Sequence, residues 1–304
     1  MRYFFTILFL FISGMAYCQE HVFVVLNVKG NVIVNNGTKK AAAKIGLGLA
    51  GNEHIIVPEK SEITLVCKSE GYVLLNKPGT YNVADYNGKC QTSKTNLLSK
   101  YLQFAWEEFS HGEESNQADH QDKMQNVGAA VRGRSKCYAI LDSSLSIVNY
   151  YQGTFDLCWQ KNIDLPLRFK VYEYPDGGKP IIDTPITSNK YSLQKLSATL
   201  KKGVNYFWTL VPAGKQDECQ RNHVEIWEKD DYMLLLKSFK DEAAAMTSDK
   251  ANEAYMLGYL LDGTHFYAEA LSYYNEALKL SPNNPLYSNT VKAFKKRYQP
   301  ATVK

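Results

Sequence analysis

Residues 251–282 read ANEAYMLGYLLDGTHFYAEALSYYNEALKLSP, and this stretch decides how the C-terminal third of the chain folds. Two helical patterns meet in it. Leu257 and Gly258 fall in the first, Ala270, Tyr274 and Ala277 in the second, and Pro282 follows. Gly258 and Ala270 are small where two helices approach closely, Leu271 and Tyr274 fill the gap, and Pro282 stops the second helix. Pro285 opens what would be the next unit, a period of about 34 residues. A helical hairpin of this kind cannot bury its own apolar face, so it packs on neighbouring helices or on another protein.

That spacing resembles a tetratricopeptide repeat. The resemblance covers about 50 residues of the helical tail, which spans 230–304, and implies an adaptor that binds other proteins. Leu257, Gly258, Ala270, Tyr274, Ala277 and Pro282 are the candidate protein-binding residues under it. Around the repeat, Tyr232, Leu235, Leu236 and Phe239 predict a helix before it, and Thr247-Ser248-Asp249 ends that helix and caps the next. Leu286, Val291, Phe294 and Tyr298 predict a last helix, with Lys292, Lys295, Lys296 and Arg297 near its C-terminus, where the dipole favours them.

The first residues set the compartment. Arg2 precedes an apolar run, Phe4 to Ile12, and Ala16-Tyr17-Cys18 leads to Gln19, the pattern of a signal peptide over 1–18. The mature chain is expected to be exported, periplasmic or secreted. The competing reading is a lipoprotein at Cys18, and large Tyr17 before the cysteine counts against it. No later segment is apolar enough to span a membrane. Export permits disulfides among Cys67, Cys90, Cys137, Cys158 and Cys219, but sequence gives no pairing. Cys67 is in phase with Ile63 and Leu65 and reads as a buried thiol, whereas Cys158 points away from the face of Phe155, Leu157 and Trp159.

Residues 20–92 read as short strands broken by turns: Val22 to Leu26, Val32 to Val34, Glu53 to Val57, Glu62 to Lys68 and Tyr72 to Leu75. The run VKGNVIV, KIGLGLAGNEHIIV, SEITLVCKSEGYVLLNKPGTY resembles the FecR-type β domain of bacterial envelope proteins. That resemblance implies a small β-roll and, as an alternative function, a sensor or regulatory component of envelope signalling. Gly46 to Gly51 match GxGxxG, but the β-branched run His54 to Val57 follows where a phosphate-binding helix should start, so the glycines read as turns between strands.

Residues 93–136 carry a helix and a polar linker. Leu98, Tyr101, Leu102, Ala105, Trp106 and Phe109 form one stripe, with Thr95 as N-cap, read as a helix docked on the β module. His111 to Ser135 is polar, and its acids and histidines fit no metal spacing. Residues 137–229 return to period two, with strands at Thr154–Trp159, Leu167–Tyr172, Val204–Leu210 and His223–Trp227. TFDLCW and LKKGVNYFWTLVP resemble the tryptophan strands of Ig-like or fibronectin III-like sandwiches. The resemblance implies that Trp159 and Trp208 lie in the core and that Tyr206 braces a strand end. Exposed aromatics such as Trp227 or Tyr191 would serve a glycan-binding module, a further alternative.

The fold class expected is therefore multi-domain: mainly β over the N-terminal two-thirds, a β-roll plus a β-sandwich, then an all-α tail. A net charge of +4, with no basic run interleaved with aromatics, excludes a nucleic-acid binder. GxSxG and HExxH are missing, and the six histidines are scattered, with His223 and His265 at positions usually solvated. The expectation is a non-enzymatic protein without cofactor or metal, a scaffold whose partners are other envelope proteins.

Overall fold

The structure is a computed structural model, and it describes residues 21–92, 96–110, 139–161, 165–215, 217 and 219–299. The segments read as signal peptide and polar linker, together with Thr95 and Cys137, lie outside the described residues. The fold is mainly β through the N-terminal two-thirds and helical at the C-terminus, and the chain forms two compact units, 1–91 and 92–304.

The first unit is built from β1 (Phe23–Lys29), β2 (Ile33–Asn35), β3 (Lys40–Ala42), β4 (Gly48–Leu49), β5 (His54–Val57), β6 (Glu62–Cys67), β7 (Gly71–Leu75), β8 (Gly79–Asn82) and β9 (Gln91–Thr92). They form two sheets, ordered β4-β1-β6-β7-β9 and β3-β2-β5-β8. Alternating apolar residues from both, among them Phe23, Val25, Val34, Ile55, Ile63 and Leu65, meet in one core. Gly46 turns with φ +81°, but Gly48 sits within β4, where a Cβ would lie 2.5 Å from the His21 ring. A strand, not a helix, follows these glycines, which removes the geometry that phosphate binding requires.

One expectation fails here. Cys67 is buried in phase as expected, yet it is bonded to Cys90. Period two shows which face a thiol lies on but not what the chain brings back to meet it 23 residues later.

The second unit begins with α1 (Asn96–Ser110), then β10 (Ala139–Ile140), β11 (Ile147–Tyr150), β12 (Asp156–Cys158), β13 (Gln160–Lys161), β14 (Leu167–Tyr172), β15 (Ile182–Ile186), β16 (Lys190–Ser192), α2 (Leu193–Ser197), β17 (Val204–Pro212) and β18 (Asn222–Ile226). The main sheet is ordered β11-β18-β17-β14-β15, antiparallel except for the parallel pair β11–β18. A second pair, β12–β16, covers its inner face. Tyr191 of β16 stacks on Phe169 of β14 at 4.1 Å, and the Trp208 and Trp159 rings lie nearly parallel to Phe169 with centroids 5.4 and 6.4 Å away. Both tryptophans are buried, and Cys158, out of phase, is half-exposed with a free thiol that burial raises to about 11.

Four helices follow: α3 (Lys229–Met246), α4 (Lys250–Gly263), α5 (Tyr267–Leu280) and α6 (Pro285–Tyr298). Asp249 caps α4 by accepting from the Asn252 N–H at 2.8 Å, and Asn284 caps α6 ahead of Pro285 at its first position. The helix of residues 96–110 forms as expected, but the sequence reading that docked it on the β module is corrected: Tyr101 of the stripe, with Phe104 beside it, packs against Tyr259 of α4 at 5.1 and 5.5 Å. Part of the tail's apolar face is thus covered by a helix from before the sandwich.

Candidate interaction surface

The hairpin of α4 and α5 shows why the small residues stand where they do. A Cβ on Gly258 would lie 2.6 Å from the Tyr274 ring, closer than carbon atoms approach without displacement. Leu257, Gly258, Ala270, Tyr274 and Ala277 are all buried, and Pro282 is exposed in the turn after α5. The structure therefore places five of the six candidate residues inside the hairpin. They fix the angle and spacing of its helices and expose little surface of their own.

The helices join the sandwich through a seam of polar and aromatic contacts. Strand β11 is an edge of the main sheet, so part of its backbone has no strand partner. The α4–α5 turn supplies one: the Asn149 N–H donates to the His265 carbonyl at 3.0 Å, and the Asn149 amide donates to the Thr264 carbonyl at 2.9 Å. Just beyond the strand, the Tyr151 and Gln152 N–H groups donate to Glu269 Oε1 at 2.7 and 2.8 Å. Phe155, fully buried, lies among Tyr267, Phe294 and Tyr298. Arg297 completes the seam by donating to Asp142 at 3.2 Å and to the Ser144 hydroxyl.

Two carboxyls are sealed into this region. Burial raises Glu269 to about 7, against the backbone donors that pull it down, and its Oε2 is buried without a partner. Asp262, also buried, accepts from Tyr298 at 3.2 Å and Tyr274 at 3.5 Å, and burial lifts it to about 7 despite nearby Arg297. Shifts of this size often mark catalytic groups. Here both carboxyls are enclosed by packing and work within the seam and the hairpin.

The two histidines, read as lying at usually solvated positions, are half-buried and each has a hydrogen-bond partner. His265 is half-buried at φ +67°, with Nδ1 2.9 Å from the Tyr267 hydroxyl. His223 sits edge-on to Phe207 with Nε2 2.6 Å from Asn205 Oδ1. Burial lowers the pKa of each. Tyr191 and Trp227, the aromatics considered for glycan contact, are half-buried, the first stacked on Phe169 and the second edge-on to Phe266 at 4.9 Å.

One open surface lies along α3. A cleft of about 500 Å³ is lined by Glu225 and Trp227 at the end of β18, by Glu228, and by Asp231, Leu234 and Leu235 on α3. Leu234 is 70% exposed and Met233 beside it 46%, two adjacent large apolar side chains left open to solvent. Burial raises Glu225 against a polar contact from the Trp227 side chain that lowers it, and neighbouring Asp231 adds to the rise. The sequence did signal this surface. Met233-Leu234-Leu235-Leu236 is a longer apolar run than one helix face can bury, and Tyr232, Leu236 and Phe239 already occupy the buried face.

No protein-family model matches this chain, and no curated protein matches it in sequence. Among the described residues, no helix is long and apolar enough to cross a membrane.

Proposed function

We propose that the chain is an exported, non-enzymatic protein of the bacterial cell envelope that binds other envelope proteins as a scaffold. The observation that carries this reading is the α4–α5 hairpin, whose Gly258–Tyr274 approach is the geometry expected of a tetratricopeptide-type unit. Such units serve binding, and this one packs with α3 and α6 on either side.

The second unit adds an Ig-like feature. Its sheet order, β11-β18-β17-β14-β15 opposite β12–β16, follows that architecture, and the Tyr206 hydroxyl accepts from the Lys201 N–H at 3.2 Å. A tyrosine near a strand start, braced on backbone just upstream, is the corner described for those sandwiches. The Cys67–Cys90 bridge fits an oxidising compartment and so supports export.

In-cell crosslinking of the full chain followed by mass spectrometry tests the reading. Recovery of defined envelope proteins is expected, and a chain that captures none overturns it. Point substitutions are the right controls. Removing the tail would strip the seam from β11 and expose Phe155, confounding loss of binding with loss of fold.

A second reading, a FecR-like regulatory component, is favoured by the two-sheet core of the first unit. It expects changed transcription of envelope genes when the protein is deleted, and unaltered transcription counts against it.

A further inference from the structure

We infer that the cleft between the end of β18 and α3 holds a cationic, apolar-flanked segment of a partner protein, which deepens the scaffold reading and rests on it. The floor supplies the apolar half of the recognition, with Leu234 and Leu235 on α3 facing Trp227. Leu234 is 70% exposed, and covering it removes more apolar surface from water than covering most positions on α3 would. The rim supplies the charge. Glu225, Glu228 and Asp231 line the same cleft, and among the described residues no lysine or arginine forms an ion pair with any of them.

The chain as a whole carries +4, so this acidic mouth runs against its overall sign. Anionic lipid and nucleic acid are repelled by the three carboxylates, whereas a lysine or arginine entering the cleft meets carboxylates that have no ion-pair partner among the described residues. An incoming cation would also lie beside the Trp227 indole, whose face attracts positive charge. An acidic rim around an apolar floor therefore selects an occupant with basic residues next to leucine-like ones.

The test uses the intact chain and a labelled synthetic peptide with leucines on one face and lysines on the other. A twin peptide carrying glutamates in place of the lysines is the control. Fluorescence anisotropy should show binding of the lysine peptide that weakens with salt, and no binding of the glutamate peptide. Leu234→Ser, and separately Glu228→Gln with Asp231→Asn, should each weaken binding about tenfold. The second variant should also flatten the salt dependence. These positions are exposed or on the cleft rim, and circular dichroism confirms that the variants keep their fold.

Failure of the lysine peptide to bind, equal binding of both peptides, or undiminished binding by both variants overturns the proposal. Sedimentation identifies a different occupant. Self-association lost in both Leu234→Ser and Lys295→Glu would assign the cleft to the lysine-bearing α6 of a second copy, and would also overturn it. Crosslinking separates this inference from the scaffold reading: partners captured equally by the wild-type and Leu234→Ser chains leave the scaffold standing and remove the cleft.

Discussion

At the scale of single residues, the hairpin depends on a missing methyl group. Alanine is the better helix former than glycine by about 1 kcal/mol, so on an open helix Gly258→Ala would stabilise. Here the added Cβ would meet Cδ1 and Cε1 of Tyr274 at 2.6 and 2.8 Å, and that ring is fully buried with nowhere to go. Overpacking of this kind costs about 1–3 kcal/mol, which outweighs the propensity gain. Gly258→Ala is expected to lower the urea midpoint of the second unit, and an unchanged or higher midpoint would show that Tyr274 can move. Glu269 makes a second residue-scale prediction. Its pKa and that of Asp262 are raised to about 7, so between the ordinary carboxylate range and pH 7 the folded state binds protons that the unfolded chain has released. Stability therefore rises as pH falls from about 8 to 5, by about 2–3 kcal/mol for each group. Glu269→Gln keeps an acceptor for the Tyr151 and Gln152 N–H groups and removes the titration. Thermal melts of the variant should show a flatter pH profile over that range, and a profile as steep as wild type would place the dependence elsewhere.

At the scale of elements, α1 shows both the reach and the limit of reading from sequence. Its stripe of Leu98, Tyr101, Leu102 and Ala105 gave the helix correctly, because a 3.6-residue period is a property of the segment itself. What covers that face is a property of the whole chain, and the packing of Tyr101 and Phe104 on α4 has no local signature. The same holds for Cys67, whose buried phase was legible while its bond to Cys90 was not. Long strands such as β14 and β17 were visible by alternation. Two-residue strands such as β4 and β9 are too short to alternate, and β11 with β15 escaped notice because their side chains mix polar and apolar positions. The hairpin residues were found, but as candidate surface. Spacing reveals that small residues let helices approach, and it does not separate an approach within the chain from one made by a partner. Packing of α1 on α4 can be tested at Tyr101, which is buried with its hydroxyl unpartnered. Tyr101→Ala should destabilise by about 3–5 kcal/mol through the cavity left against Tyr255 and Tyr259. Tyr101→Phe, which deletes only a buried polar atom without a partner, should be neutral or stabilising by about 1 kcal/mol. Denaturant titrations of both variants check the pair, and a large loss in the phenylalanine variant would mean that the hydroxyl has a partner.

At the scale of the whole molecule, the two compact units are secured by different chemistry. The first has a two-sheet core and the Cys67–Cys90 bond, which closes a loop of 23 residues and restricts the unfolded chain by about 3 kcal/mol. The second has a seam in which a buried carboxyl caps backbone donors beyond an edge strand, so its stability responds to protons. Hydrogen exchange reads the two separately, because amides in core strands report the opening free energy of their own cooperative unit. Reductant should speed exchange in β1, β6 and β7 and leave β14, β17 and α5 unchanged. Raising the pH from 5 to 8, once intrinsic exchange rates are corrected for, should weaken protection in β11, α4 and α5 and spare β6. Each unit built around its own core has no reason to follow the other's perturbation. If reductant loosens α5 as much as β6, the two cores open together, and the disulfide then stabilises the whole chain and not the first unit alone.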